Sequence, residues 1–318
     1  MCDMSMRIGF GKNKRILSLV KSVKKTRLYV LAASLCFIVI GVIIIGILKF
    51  HSPQPTYRVS RHIQYAFTLQ NRTNRVIKNA EFWTYAPVKQ TATQRCTRFE
   101  TSHPHQLIKD DLGNQILHFT FNDFPPYATK IITINAHLSV SDAANPIAVP
   151  DFKIFLRPEK YIECDNACLC SAAQKLKTSK TLKTTESIFH WVANNLRYTG
   201  YIKNDRGALY ALKTKEGDCT EFMHLFVALC RANKIPARCI GGYVRRENTT
   251  LKPADYHNWA EFYQDGAWRI ADPQNRVFMK NQADYIATRI IKGSPHDTVK
   301  QFNRFRVKGN GLKAKMNS

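Results

Sequence analysis

Acid is scarce in this chain: 23 Asp and Glu stand against 48 Lys and Arg, a formal charge of +25 over 318 residues. Its surface is therefore cationic and its natural partners anionic. Cysteine is sparse too. Nine residues are too dilute for a scaffold held by disulfides, so the fold must rest on apolar burial. Hydrophobic residues at 44% and charged residues at 22% exclude a disordered or collagen-like chain. A calcium loop of alternating Asp residues is missing. Charge-free stretches are rare, and the one long example decides the topology.

From Leu28 to Leu48, twenty-one residues carry no Asp, Glu, Lys or Arg. As a helix they span about 31 Å, the thickness of a bilayer core. Residues 1–27 hold eight basic residues against Asp3, and no small-x-small cleavage site follows Leu48. This predicts an uncleaved single-pass anchor in the inner (cytoplasmic) membrane, with a basic cytoplasmic segment at 1–27 and everything after Lys49 exported, on the periplasmic side. The exported part keeps an excess of basic residues. Outside the cytoplasm its anionic partners would be lipid headgroups, envelope polymers or acidic substrates, and no nucleic acid.

Residues 53–145 alternate apolar and polar positions between turns. In KIITINAHLSV, Ile132, Ile134, Ala136, Leu138 and Val140 share one face, the mark of a strand buried on one side. Four or five such runs predict an antiparallel, sandwich-like module. His103 and His105 in its loop region lack a third metal ligand in register. The proline-bearing stretch 145–158 predicts a link, after which the period changes to helical over 166–178 and 185–197. Residues 291–318 are basic with little apolar periodicity and predict a partly ordered tail.

The chemistry concentrates between Arg206 and Pro273. Phe222, Leu225, Phe226, Leu229 and Cys230 lie on one helical stripe, and Asp218 with Glu221 has the spacing of a capping box. That places Cys219 in the first helical turn, where unpaired N–H groups favour a thiolate and can donate to an oxyanion. The flanking carboxylates oppose this in part, so a base is required. YHNWAEFY reads as a strand bearing His257, and AWRIAD as a second strand ending at Asp272, joined to the first by a Gly266 turn. The hairpin can set Asp272 beside His257 to orient an imidazole that activates Cys219.

These blocks resemble the transglutaminase-like superfamily of papain-like thiol enzymes. The matching residues are Gly217, Cys219, Arg231, Ala232 and Ile235 to Arg238, then His257 and Trp259, then Trp268, Asp272 and Pro273. Lys234 stands where the family usually has glycine. The resemblance covers about 160–275 and implies an α+β fold: a papain-like core with the cysteine helix packed on an antiparallel sheet carrying His and Asp, in a catalytic domain at 151–290. By carry-over Cys219 is the nucleophile, His257 the general base and acid, and Asp272 the orienting acid. No cofactor or metal is implied. The second oxyanion donor is open among Tyr198, Tyr201 and Tyr210.

The function expected is a membrane-anchored thiol enzyme attacking an amide or isopeptide bond of an envelope protein or peptide, with hydrolysis favoured over transfer. The alternatives are a protein-glutamine gamma-glutamyltransferase that crosslinks to lysine amines, and a non-catalytic envelope-binding module on the same fold. With Cys219 free, Cys96, Cys164, Cys168, Cys170, Cys230 and Cys239 remain to pair, and a bridge within the 164–170 cluster is expected over a metal site.

Overall fold

The computed structural model describes residue 34 and residues 36–41, 55–147, 149, 151–292 and 302–318. The basic segment at 1–27 and the span at 28–48 lie outside the described residues apart from 34 and 36–41, which are helical. No described helix is long and apolar enough to cross a membrane. Residues 55–318 form one compact unit.

In chain order its strands are β1 (Val59–Asn71), β2 (Ile77–Ala86), β3 (Gln94–Thr101), β4 (Gln106–Lys109), β5 (Gln115–Phe124), β6 (Thr129–Val140), β7 (Arg197–Tyr198), β8 (Glu216–Gly217), β9 (Ala237–Val244), β10 (Thr249–Thr250), β11 (Tyr256–Gln264), β12 (Ala267–Asp272), β13 (Val277–Phe278), β14 (Tyr285–Ile291), β15 (Phe305–Lys308) and β16 (Leu312–Met316). The α-helices of this unit are α1 (Ala167–Lys175), α2 (Thr181–Asn195), α3 (Ala208–Thr214) and α4 (Cys219–Ala232).

Strict alternation builds the sandwich. Strand β1 buries Ile63, Tyr65, Phe67 and Leu69 and pairs antiparallel with β6 from Val59↔Val140 to Gln70↔Thr129. Ile132 through Val140 face inward on β6 as their period of two requires. Strand β3 takes the other edge of β6, while β4, β5 and β2 form the opposing sheet. Phe67, Phe82, Phe119 and Ile134 meet in one apolar cluster between the two sheets.

One reading needs correction: the basic stretch 291–318 is not a tail over its described part. Strand β15 pairs with β2 and β16 with β1, each antiparallel. Leu312 and Met316 enter the sandwich core while Lys313 and Lys315 stay outside or at its margin. The lysines mask a period of two that the core exploits.

The third sheet runs β13-β12-β11-β9-β14. Helix α4 is buried from Thr220 through Arg231 and packs on this sheet, with Phe222, Phe226 and Leu229 in one cluster with Ala260 and Phe262 of β11 and Ile188 and Val192 of α2. Tyr243 of β9 and Ile286 of β14 join the sandwich cluster, so sandwich and site sheet share apolar contacts. The helix ends in a Schellman motif: Ile235 N–H donates to Cys230 O at 2.9 Å and Lys234 N–H to Arg231 O at 2.9 Å. Lys234 adopts φ +62°, which explains why glycine suits this position. Lys234→Gly is therefore expected to stabilise the protein by about 0.5–1 kcal/mol, read from the denaturation midpoint.

Among the described residues no cysteine pairs with another. Cys164, Cys168 and Cys170 are free, as are Cys96, Cys230 and Cys239, which corrects the bridge expected in the 164–170 cluster. Cys170 Sγ instead donates to the main-chain oxygen of Cys164 at 3.3 Å. Burial pushes the Cys96 thiol up to about 11 and raises Cys230 and Cys239 further, so these sulfurs stay protonated in the core.

Candidate active site

The N-terminus of α4 is stitched from two carboxylates. Asp218 Oδ1 accepts from Thr220 N–H at 2.8 Å, and Glu221 Oε2 accepts from Asp218 N–H at 3.1 Å, closing the expected capping box. Their other oxygens reach into the preceding loop: Asp218 Oδ2 accepts from Ile202 N–H at 2.9 Å and Glu221 Oε1 from Arg206 N–H at 2.9 Å. Gly217 makes this possible, because a Cβ there would lie 2.3 Å from Glu221 Cβ. The Gly-x-Cys spacing is thus a packing requirement, and it leaves Cys219 half-buried in the first helical turn.

The base arrives on a tight hairpin. Strands β11 and β12 are joined through Asp265 and Gly266 at φ +50° and +77°, both in the left-handed region that matches strand twist. His257 is 9% exposed, and its Nε2 lies 2.8 Å from Asp272 Oδ2. His257 and Cys219 line the same cleft, and the nearby sulfur is one of the groups that raise the imidazole. The structure therefore brings the three residues predicted from sequence together, with Asp272 at the end of β12 and Cys219 at the tip of α4.

Asp272 is 1% exposed and fully engaged. Besides His257 it accepts from Tyr285 Oη at 2.8 Å, Asn275 Nδ2 at 2.8 Å and Asn275 N–H at 3.2 Å. Four donors satisfy the buried carboxylate, and among the described residues the imidazole is the one titratable nitrogen bonded to it. Tyr285 and Asn275 were not anticipated. Asn275 carried a usable signal, since an Asp-Pro-x-Asn run favours a turn that folds back on its first residue. Tyr285 comes from β14, and no spacing rule links it to the hairpin.

Burial works against a charged His257, but the hydrogen bond it donates to Asp272, together with the nearby Cys219 side chain and the Asp272 charge, outweighs it and raises the imidazole to about 10. The linked stability runs in one direction: with the folded pKa raised, this contribution is complete below about pH 6.5 and is lost as pH rises through about 10. Urea midpoints of the wild type and His257→Gln should therefore converge between pH 8 and 10.5, and a gap that persists unchanged across that range would contradict the ion pair.

Two of the three candidate tyrosines reach the site. Tyr198 and Tyr201 border the cleft of about 670 Å³ that contains Cys219 and His257. Tyr210 turns away, its hydroxyl accepting from Arg206 Nη1 at 2.6 Å beneath the same guanidinium. In the sandwich, His105 Nδ1 lies 2.9 Å from Thr101 Oγ1 and His103 Nδ1 2.9 Å from Ser102 Oγ. Among the described residues no group of three or more His, Cys, Asp or Glu could hold a metal ion.

Residues 171–273 match the family model Transglut_core, described as the transglutaminase-like superfamily. A Mycobacterium leprae protein, "Uncharacterized protein ML0607", is 25% identical over 154 residues, covering 45% of this chain; the chain spans 55% of that relative's length. Among solved structures, one from Cytophaga hutchinsonii named a "Putative Cysteine Protease" superposes with a TM-score of 0.54 at 19% identity, over 81% of this chain and 92% of the other, which shows a shared fold. The segment that matches the transglutaminase-like superfamily model contains Cys219 on α4, His257 on β11 and Asp272 at the end of β12.

Proposed function

We propose that this protein is a membrane-anchored, extracytoplasmic thiol hydrolase that cleaves an amide or isopeptide bond in an envelope protein or peptide. The observation that carries the reading is the His257–Asp272 hydrogen bond at 2.8 Å beside Cys219 in one cleft, with the imidazole raised to about 10. The Cys219 sulfur attacks the carbonyl carbon, and backbone N–H groups at the start of α4 receive the oxyanion. Collapse of the tetrahedral species breaks the C–N bond as the imidazolium gives its proton to the leaving amine, which leaves a thioester. His257 then takes a proton from water, the hydroxide attacks the thioester carbonyl, and the acid departs as the thiolate re-forms. Asp272 keeps the ring oriented and its charged form stabilised.

Water as the acceptor is favoured by the rim of the cleft, where Tyr198 is 53% and Tyr201 73% exposed, so nothing there shields the thioester. Incubating the protein with a glutamine peptide and a labelled amine separates the reactions. Free ammonia or cleaved peptide without label in the product supports hydrolysis, and incorporation of the amine shows transfer to lysine-like acceptors. Because the imidazolium must donate to the leaving group, kcat/KM is expected to fall above about pH 10. A pH–rate profile with its upper limb near 7 would contradict the assignment of His257.

The anchor and location follow from the apolar run at 28–48 and the basic residues before it. Protease accessibility of the catalytic unit in intact and permeabilised cells checks the orientation.

A further inference from the structure

Cys219 stands between two cavities, and the chemistry above uses one. The second, about 460 Å³, shares with the first a wall made of Tyr201, Asp218, Cys219, Pro253, Tyr256 and Arg304. Its charges are unevenly committed. Both oxygens of Asp218 are taken by main-chain N–H groups. Arg304 Nη1 donates to Pro253 O at 3.2 Å, and its guanidinium lies 5.3 Å from the centre of the Tyr256 ring. Arg289 Nη1 donates to the carbonyl oxygens of Phe302 and Asn303. Neither arginine forms an ion pair with a carboxylate among the described residues. Asp205, the remaining acid on this wall, interacts with Arg289 only at longer range, and Lys203 adds a further cation.

The same wall holds buried polar atoms with no hydrogen-bond partner among the described residues: Tyr256 Oη, Arg289 Nε, His224 Nδ1 and Asn258 Oδ1. Such atoms are costly to bury unless a ligand satisfies them. Gly241 lets Tyr256 and Asn258 pack closely against β9, since a Cβ there would fall 2.4 Å from Tyr256 Oη and 3.1 Å from Asn258 Oδ1. Asn258 is held in place by its Nδ2, which donates to Thr220 Oγ1 at 3.0 Å beside the nucleophile. Two arginines without a carboxylate partner among the described residues and an unspent hydroxyl thus line the cavity that also contains Cys219. Two acceptors beside them suit the N–H groups of a peptide.

We propose that this second cavity is a substrate subsite for a carboxylate carried a few atoms from the scissile carbonyl, bound by Arg289 and Arg304 with the Tyr256 hydroxyl as a third donor. The proposal deepens the thiol-hydrolase reading and rests on it for the identity of the scissile bond. Substrates would be peptides bearing an acidic side chain or a free α-carboxyl next to the bond cut.

Alkylation of the full chain by iodoacetate and by neutral iodoacetamide, read by mass spectrometry on the peptide carrying Cys219, tests the charge preference. The imidazolium itself attracts an anion, so the comparison lies in the variants. Arg289→Gln and Arg304→Gln should each lower the iodoacetate-to-iodoacetamide rate ratio about tenfold, Tyr256→Phe about threefold, and the remote Arg98→Gln less than twofold. Ratios unchanged in both arginine variants overturn the subsite.

A second measurement does not depend on the thiol. Cys219→Ala is titrated with acetyl-alanyl-glutamine amide, with its free acid, and with acetyl-alanyl-glutamate amide. Tenfold tighter binding of the free acid supports an α-carboxyl ligand, and of the glutamate peptide a side-chain ligand. Equal affinity for all three overturns the proposal even if Cys219 proves reactive. A clear carboxylate preference alongside an inert Cys219 retains the subsite and sinks the hydrolase reading alone.

Discussion

Replacing Cys219 with alanine is expected to abolish turnover, lowering kcat by about 10⁴-fold or more, while the thermal midpoint moves by no more than about 2 °C. The small stability effect follows from position: the side chain is half-buried in a first helical turn whose capping is done by Asp218 and Glu221. Asp272→Asn should come close to the same loss, about 10³–10⁴-fold, because an amide in place of the carboxylate can no longer hold the imidazolium. His257→Gln combined with Cys219→Ala should add almost nothing to either single change, since the groups act as a unit. Single-turnover assays on a peptide substrate read all three, and additive losses would show that the residues do not work together. Tyr285→Phe provides a graded control, as it removes one of four donors to Asp272 and leaves the others in place.

Loss of Arg231 is expected to be the most damaging single change for folding. Its side chain is 1% exposed at the end of α4, yet it is charged. The guanidinium donates to Glu159 Oε1 at 2.7 Å, to Arg157 O at 2.7 Å and to Ala237 O at 2.9 Å. It thereby ties the helix to the segment entering the domain and to the first residue of β9. Arg231→Ala leaves two carbonyl oxygens and a carboxylate that is 12% exposed without their donor, a cost of about 3–5 kcal/mol. For a unit of this size that corresponds to a midpoint lower by roughly 6–15 °C. Arg231→Met with Glu159→Met should cost clearly less than the sum of the single changes, because the double change removes the pair together. Calorimetry of the four proteins completes the cycle, and a fully additive result would show that the pair is not coupled.

The reach of sequence reasoning differs between elements for identifiable reasons. The hairpin was legible nearly to the residue, since YHNWAEFY and AWRIAD flank an Asp-Gly pair that strand twist selects. Helix α4 was legible from its stripe and its capping box. Strands β3 and β4 were not, because β3 buries only Gln94 and Cys96 among eight residues and β4 buries none of its four. An edge strand that covers little core leaves little period to read. The reverse error occurred at the C-terminus, where lysines at alternate positions looked like a solvated tail and are the outer face of β16.

For the site, local chemistry was enough to name Cys219, His257 and Asp272, since each sits where a short-range rule puts it: a helix start, a strand, a strand end before proline. Tyr285, Tyr256 and Arg289 obey no such rule. They meet the triad or its second cavity because β9 lies between β11 and β14 and carries the glycines Gly241 and Gly242, where a Cβ would stand 2.1 Å from Ile286 O. The amino-acid sequence by itself determined the helix start that carries Cys219 and the hairpin that carries His257 and Asp272, because capping, turn geometry and periodicity act within a few residues. Tertiary structure alone decided that Tyr285 bonds Asp272 and that Arg289 and Arg304 share a cavity with Cys219, because sheet order and not a local rule brings those groups together.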